Sequence, residues 1–223
     1  MFNSTINAQG TAAIYGFVVE KDSTAKTGVR GIPFCTVKYC DINNHDVIEY
    51  LGVTDLRGFY SLGENIPIKN YHVVIESPGY NTISKDMGNF PAQELLTLHF
   101  EMTRSGSVPV AARQSYSLSD LNIPKKQKLS EAVTRIPGIT VDEYGNLLTE
   151  EGGSVRLLLV GQNVPFTDLA QLDEIPMSYV SHFEYYDITD FNTVYSGIVN
   201  IVLTTGQSTE LTEKPFVTDM FDL

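Results

Sequence analysis

Two cysteines, four histidines and a few groups of neighbouring carboxylates are the side chains of this 223-residue sequence with metal-binding or proton-transfer chemistry to offer. Cys35 and Cys40 lie in the run IPFCTVKYCDI, which reads as one strand. Their odd separation sets them on opposite faces, with Cα atoms roughly 16 Å apart at about 3.3 Å per residue. A disulfide spans at most ~7 Å between Cα atoms, so both read as small buried or half-buried thiols. His45, His72, His99 and His182 are isolated along the chain. His72 and His99 fall in strands and could meet as a metal pair, but a ligand set needs three or four groups and a supporting shell. The stretch from Asp41 to Asp46 resembles a calcium loop, yet Asp46 and Gly52 stand where such a loop has its glycine and its bidentate glutamate. A hairpin turn is the better reading. Glu150-Glu151 and Asp173-Glu174 are sequence neighbours that splay into water rather than forming an acid/base pair. Gly152-Gly153-Ser154 reads as a turn entering a strand. Tyr185-Tyr186 reads as one core and one surface ring on a strand. No nucleophile elbow, P-loop, G-x-G-x-x-G or H-E-x-x-H is present. No catalytic residue, cofactor site or metal site is assigned, and no enzymatic activity is expected.

The balance of 15 Lys and Arg against 27 Asp and Glu leaves a net charge of −12. Such a surface repels a phosphate backbone, so nucleic acid is not an expected partner. No basic cluster flanks an apolar amphipathic stretch, which argues against binding to anionic lipid. No run of about 18 apolar residues exists, so no membrane-spanning helix is expected. The N-terminal MFNSTINAQG lacks the charged start and apolar middle of a secretory signal, although Ile6-Asn7-Ala8 resembles the tail of a cleavage region.

The elements that must position these residues are mostly strands. Residues 13–20, 32–42, 47–54, 59–62, 71–76 and 95–102 alternate or carry β-branched and aromatic side chains, with turns between them. Short strands at this spacing predict a sandwich. Residues 104–128 hold Ser105-Gly106-Ser107, Pro109 and Pro124 with little periodicity, and read as a linker. Leu129, Val133 and Ile136 then follow helical spacing over residues 128–136. Pro137-Gly138 ends that helix. Residues 139–141 and 146–149 flank a turn. VRLLLV over residues 155–160 is apolar enough to be a buried central strand. Thr167 caps a short helix to Leu172, and Pro176 suits the first turn of another, to Ser181. Residues 182–186 and 198–204 are further strands. Residues 155–160 should lie beside 198–203 or 183–186 in one mixed sheet, covered by the helices.

Four elements of the first half stand in an informative order: Gly16-Phe17-Val18-Val19, Gly31-Ile32-Pro33-Phe34-Cys35-Thr36-Val37, Thr54-Asp55-Leu56-Arg57-Gly58-Phe59-Tyr60-Ser61-Leu62, and Ser77-Pro78-Gly79-Tyr80. This half resembles the carboxypeptidase-regulatory-like, transthyretin-type β-sandwich, a binding or spacer module without a catalytic group. The second half carries LSEAVTRIPGITV at residues 129–141, VRLLLVG at 155–161, Ile175-Pro176, and GIVNIVLTTG at 197–206. It resembles the plug domain of TonB-dependent receptors. Val160 departs from the family, whose turn there has aspartate.

The resemblance implies a β-sandwich over residues 12–103, a linker over 104–128, an α+β plug-like domain over 129–206 and a tail over 207–223. It implies the periplasmic and plug portion of an outer-membrane receptor, on the periplasmic side of the outer membrane in the cell envelope. That portion would gate or couple nutrient uptake through a barrel that these residues do not encode. The partners implied are that barrel and a TonB-like energy-coupling protein. The energy-coupling segment of the family precedes the plug, and Val108, Pro109, Val110 and Ala111 are its candidates here, with a plain linker as the competing reading. A stand-alone envelope adaptor or structural protein-binding module built from the same two folds is the alternative.

Overall fold

The computed structural model describes residues 10–21, 30–88, 90, 94–163, 169–191 and 193–204. Ile6-Asn7-Ala8, Thr167 and the tail from residue 207 lie outside them. The chain divides into two compact units, Met1–Val110 with Asp190–Thr193, and Ala111–Thr189 with Val194–Leu223. Among the described residues no helix is long and apolar enough to cross a membrane.

The first unit is built from strands β1 (Thr11–Glu20), β2 (Arg30–Gly31), β3 (Thr36–Asp41), β4 (Ile48–Val53), β5 (Phe59–Pro67), β6 (Tyr71–Glu76), β7 (Ile83–Met87), β8 (Leu95–Thr97) and β9 (Phe100–Met102). One sheet runs β4-β3-β6-β7, antiparallel throughout. The other is organised on β1, which pairs antiparallel with β5 and β2 and parallel with β8 and β9. The two sheets share one apolar core. Ile14, Val18, Tyr60 and Phe100 enter it from one, and Val37, Tyr39, Tyr71, Val73 and Ile75 from the other. The alternation that buries Tyr71, Val73 and Ile75 turns His72, Val74 and Glu76 to the outer face. Three tyrosines are fully buried here, and each hydroxyl finds a partner. Tyr60 donates to the Leu98 carbonyl at 2.8 Å and Tyr71 to the Pro67 carbonyl at 2.7 Å, while the Tyr39 and Tyr60 oxygens stand 3.4 Å apart. A buried phenol without a partner would forfeit part of what burying its ring gains.

The corner before β5 is local chemistry. Asp55 accepts the backbone N–H groups of Arg57 (2.9 Å) and Phe59 (3.0 Å). Gly58 sits at φ +81°, and a Cβ there would lie 2.5 Å from the Val18 carbonyl oxygen. Only glycine meets both demands. Thr54 ties the corner inward, donating to the Ile32 carbonyl and accepting the Cys35 N–H.

Two strand expectations need correction, and one strand was not expected. The strand expected over 32–42 begins only at Thr36, because Phe34 takes a left-handed conformation at φ 62°. The strand expected over 95–102 is broken between β8 and β9. Leu98 and His99 are spent on β1 there, Leu98 N–H on the Tyr15 carbonyl and His99 Nδ1 on the Phe17 N–H. Strand β7 has the sequence ISKDM with three exposed central residues, so it lacked the apolar alternation that marks a strand.

The second unit holds β10 (Ala112–Ser117), α1 (Leu129–Val133), β11 (Ile139–Val141), β12 (Leu147–Thr149), β13 (Val155–Leu159), β14 (Gln162–Asn163), β15 (Val180–Asp187) and β16 (Gly197–Leu203). Short 3-10 turns run over Leu169–Glu174 and Met177–Tyr179. The main sheet is ordered β10-β15-β16-β13-β14. It is mixed: β13 lies parallel to β16, and the other pairs are antiparallel. This is the neighbour relation expected for residues 155–160. Leu129, Ala132, Val133 and Ile136 pack with Val155, Leu159, Val199 and Ile201 in one cluster, so α1 covers one face of the sheet.

Residues 112–117 are not linker but the edge strand β10, paired with β15 over its whole length. Its sequence ARQSYS is mostly exposed and carries no apolar period. What makes it a strand is the free edge of β15. Leu121 and Ile123, also read as linker, are buried in the same core.

Candidate functional site

Residues of VRLLLVG, of GIVNIVL and of the strand β15 meet on one face of the main sheet. Leu158 on β13, Asn200 on β16 and Glu184 on β15 are cross-strand neighbours in register, so all three project to the same face. Asn200 is 4 % exposed and Glu184 7 %. Asn200 Nδ2 donates to Glu184 Oε2 at 2.8 Å. Asn200 Oδ1 accepts the Gly161 N–H at 2.7 Å. Glu184 also accepts from the Tyr186 hydroxyl at 2.8 Å and pairs with Arg113 of β10 at 2.5 Å. Burial works to raise the Glu184 pKa, but hydrogen bonds from Asn200 and Tyr186 and the Arg113 charge outweigh it and hold the carboxyl below the usual range.

The turn joining β13 to β14 has two residues, Val160 and Gly161, with φ of 52° and 78°. Two positive φ values in a two-residue hairpin loop are the primed geometry that suits strand twist. Asparagine, aspartate or glycine accepts the first of these at little cost, whereas a β-branched valine is strained there. The turn is held by Val160 N–H on the Ile201 carbonyl (2.9 Å) and by Asn200 on Gly161.

Val108, Pro109, Val110 and Ala111 lie where the chain passes from the first unit to the second. Ser105 and Gly106 N–H groups both donate to the Gly79 carbonyl, at 2.9 and 3.3 Å. A Cβ on Gly79 would stand 2.6 Å from the Ser107 oxygen and 2.8 Å from Val108 Cα. Gly79 thus lets the departing chain lie against the first unit, and Val108 packs on its core. Val110 is then 93 % exposed. Among the described residues, the backbone from Ser107 to Ala111 belongs to no strand or helix and makes no backbone hydrogen bond. The segment presents free donors and acceptors, as a strand-adding partner requires.

The remaining sequence-named residues fall elsewhere. His72 is on β6 and His99 follows β8, in different sheets, so the structure does not bring that pair together. His72 instead meets His45 and Asp86. His182 stands 3.6 Å from Glu184. Cys35 and Cys40 are both free and buried, Cys35 in the core between the sheets. Asp41 accepts the N–H groups of Asn43 and Asn44 in a hairpin turn. Glu150 and Glu151 are exposed. Asp173 does not splay into water. It accepts the Ser130 N–H at 3.0 Å and pairs with Lys128, fixing the start of α1. Ser154 carries its carbonyl to Ser196 N–H (2.9 Å) and ends the turn made by Gly152 at φ 84°. Tyr185 packs on the core and Tyr186 on the opposite face, where it serves Glu184. Sequence reading missed Asn200 and Glu184 as a linked pair. The asparagine inside the otherwise apolar GIVNIVL was the available signal, since a buried amide demands partners.

No protein-family model matches the chain, and no curated protein matches it. Among solved structures, the shaft pilin SpaA of Lactobacillus rhamnosus GG is similar at 11 % identity, with 87 % of this chain and 98 % of that one covered and a TM-score of 0.34. A likeness at that level carries no argument.

Proposed function

We propose that this chain is the periplasmic and plug portion of a TonB-dependent-receptor-like protein: a carboxypeptidase-regulatory-like sandwich followed by a plug-like α+β domain. It works without catalysis, at the periplasmic side of the outer membrane. The observation that carries the reading is the convergence of three motifs in one unit. PGITV follows the helix that covers the sheet, VRLLLVG forms β13 and its turn, and GIVNIVL forms the parallel neighbour β16. Asn200 of the last motif clasps Gly161 of the second. The exposed backbone around Val110 supplies the strand that an energy-coupling protein adds to, and the plug occludes a barrel.

The test joins two measurements. The periplasmic domain of a TonB-like protein is immobilised and the purified chain passed over it, with Val110→Pro as the comparison. Binding that the proline abolishes supports the coupling role, because proline removes a backbone donor. The reading frame downstream of Leu223 is also sequenced for alternating strands of roughly 9–11 residues. No binding together with no such strands overturns the receptor reading and leaves the envelope adaptor.

A further inference from the structure

The outer face of the β4-β3-β6-β7 sheet carries a cluster that the plug reading does not use. His72 lies mid-sheet, with Cys40 of β3 and Asp86 of β7 as its cross-strand neighbours. Its Nδ1 stands 2.6 Å from Asp86 Oδ1, and its Nε2 stands 2.9 Å from Ser84 Oγ. The β3–β4 hairpin brings a second imidazole. Asp41 gathers the N–H groups of Asn43 (2.8 Å) and Asn44 (3.0 Å), and the bent chain lays His45 on His72. The two rings are 3.5 Å apart and 9° from parallel. His45 Nε2 is 3.9 Å from the same Asp86 oxygen. One ligand atom from each of the three residues lies within 4.8 Å of the others.

We infer that His45, His72 and Asp86 form a binding site for a divalent transition ion of the zinc type. Two imidazoles and one carboxylate are a donor set for zinc, whereas calcium and magnesium take oxygen ligands. Around a tetrahedral ion with bonds of about 2.0–2.1 Å, ligand atoms stand roughly 3.3 Å apart. The 2.6 and 3.9 Å separations bracket that spacing. The two ring planes are parallel and share no point to which both lone pairs could aim, so binding requires His45 to turn out of the stack; its side chain is 51 % exposed and that of Asp86 67 %, which leaves both room to adjust. His72, at 10 %, is the fixed one. Ser84 supplies the supporting shell. Without an ion the 2.6 Å contact is His72 Nδ1–H donating to the Asp86 carboxylate; an ion would displace that proton, and the Ser84 hydroxyl would then accept Nε2–H and hold the ring. Three protein ligands leave a fourth position for water or for a group from a partner. The site belongs to the first unit and stands apart from the receptor reading.

The test is equilibrium dialysis of the full chain, without a polyhistidine tag, against zinc, with elemental analysis and calorimetric titration. One zinc per chain is expected. His45→Ala and Asp86→Asn, both at exposed positions, should weaken binding by about tenfold or more, and Ser84→Ala by about tenfold. His182→Ala should change nothing. Cobalt in place of zinc should give visible ligand-field bands that His45→Ala removes. Absence of bound zinc in the wild-type chain, or an affinity unchanged in both His45→Ala and Asp86→Asn, overturns the site. Melting curves of each variant without metal confirm that the comparison is between folded proteins.

Discussion

Asn200 donates its amide N–H to Glu184 across the β15–β16 pair while its oxygen holds the Gly161 N–H, so one side chain ties the hairpin turn to two strands. Replacing Asn200 by alanine strands a buried donor and half of a buried acceptor. Each such loss costs about 1–3 kcal/mol. Asn200→Ala should therefore destabilise the second unit by roughly 2–4 kcal/mol in denaturant titration. A midpoint within error of wild type would show that the clasp contributes nothing.

The same carboxylate sets an acid limit. Burial opposes the Glu184 charge, but Asn200, Tyr186 and Arg113 together hold its pKa below the ordinary value. A lowered folded pKa contributes stability above the unfolded value of about 4.3, and that stability is lost as pH falls through the folded value. Glu184→Gln should therefore be less stable than wild type at neutral pH, with the gap closing as pH drops below about 4. A gap that stays constant from neutral pH into acid would refute this.

Val160 occupies the first position of a primed turn at φ 52°. A left-handed conformation costs an L-residue with a Cβ about 1–2 kcal/mol. Val160→Asn relieves most of that and gives up some packing against the core. The net expectation is a gain of about 0.5–1 kcal/mol, read as a higher melting temperature. A lower melting temperature would mean that the valine's packing outweighs its strain.

Strand β10 is paired to β15, and Ser105 and Gly106 are bonded to Gly79, which leaves the peptide bonds around Val110 open to a protease. A protease that cuts after small aliphatic residues should make its first cut, within the described residues, after Val110 or Ala111. N-terminal sequencing of the early fragments decides it. A first cut inside residues 112–117 would show that β10 is not held on the sheet.

Burial pushes the Cys35 thiol up to about 12. The thiolate is the reactive form, so Cys35 should resist alkylation in the native chain at mildly alkaline pH. After unfolding, both cysteines should react. Native alkylation of Cys35 as fast as in the unfolded chain, or a crosslinked peptide holding Cys35 and Cys40, would contradict the core position.

Local chemistry made much of this architecture legible in the amino-acid order alone. Strand β6 spans the residues its alternation marks, Tyr71–Glu76, and the corner at Gly58 follows from a turn that admits no Cβ. The neighbour of β13 was narrowed to two strands because VRLLLV needs cover on two faces; that it is β16, and parallel, came from the folded sheet. Where partners are distant, the sequence was silent. ARQSYS becomes β10 only because β15 has a free edge, and LLTLHFEM breaks because β1 claims Leu98 and His99. His45, His72 and Asp86 meet through a hairpin bend and two strand registers, and register is a property of the folded sheet rather than of any one strand. Asn200 showed in the sequence as a polar residue in an apolar run. Its partners, Glu184 and Gly161, are 16 and 39 residues away, and only the tertiary structure chose them.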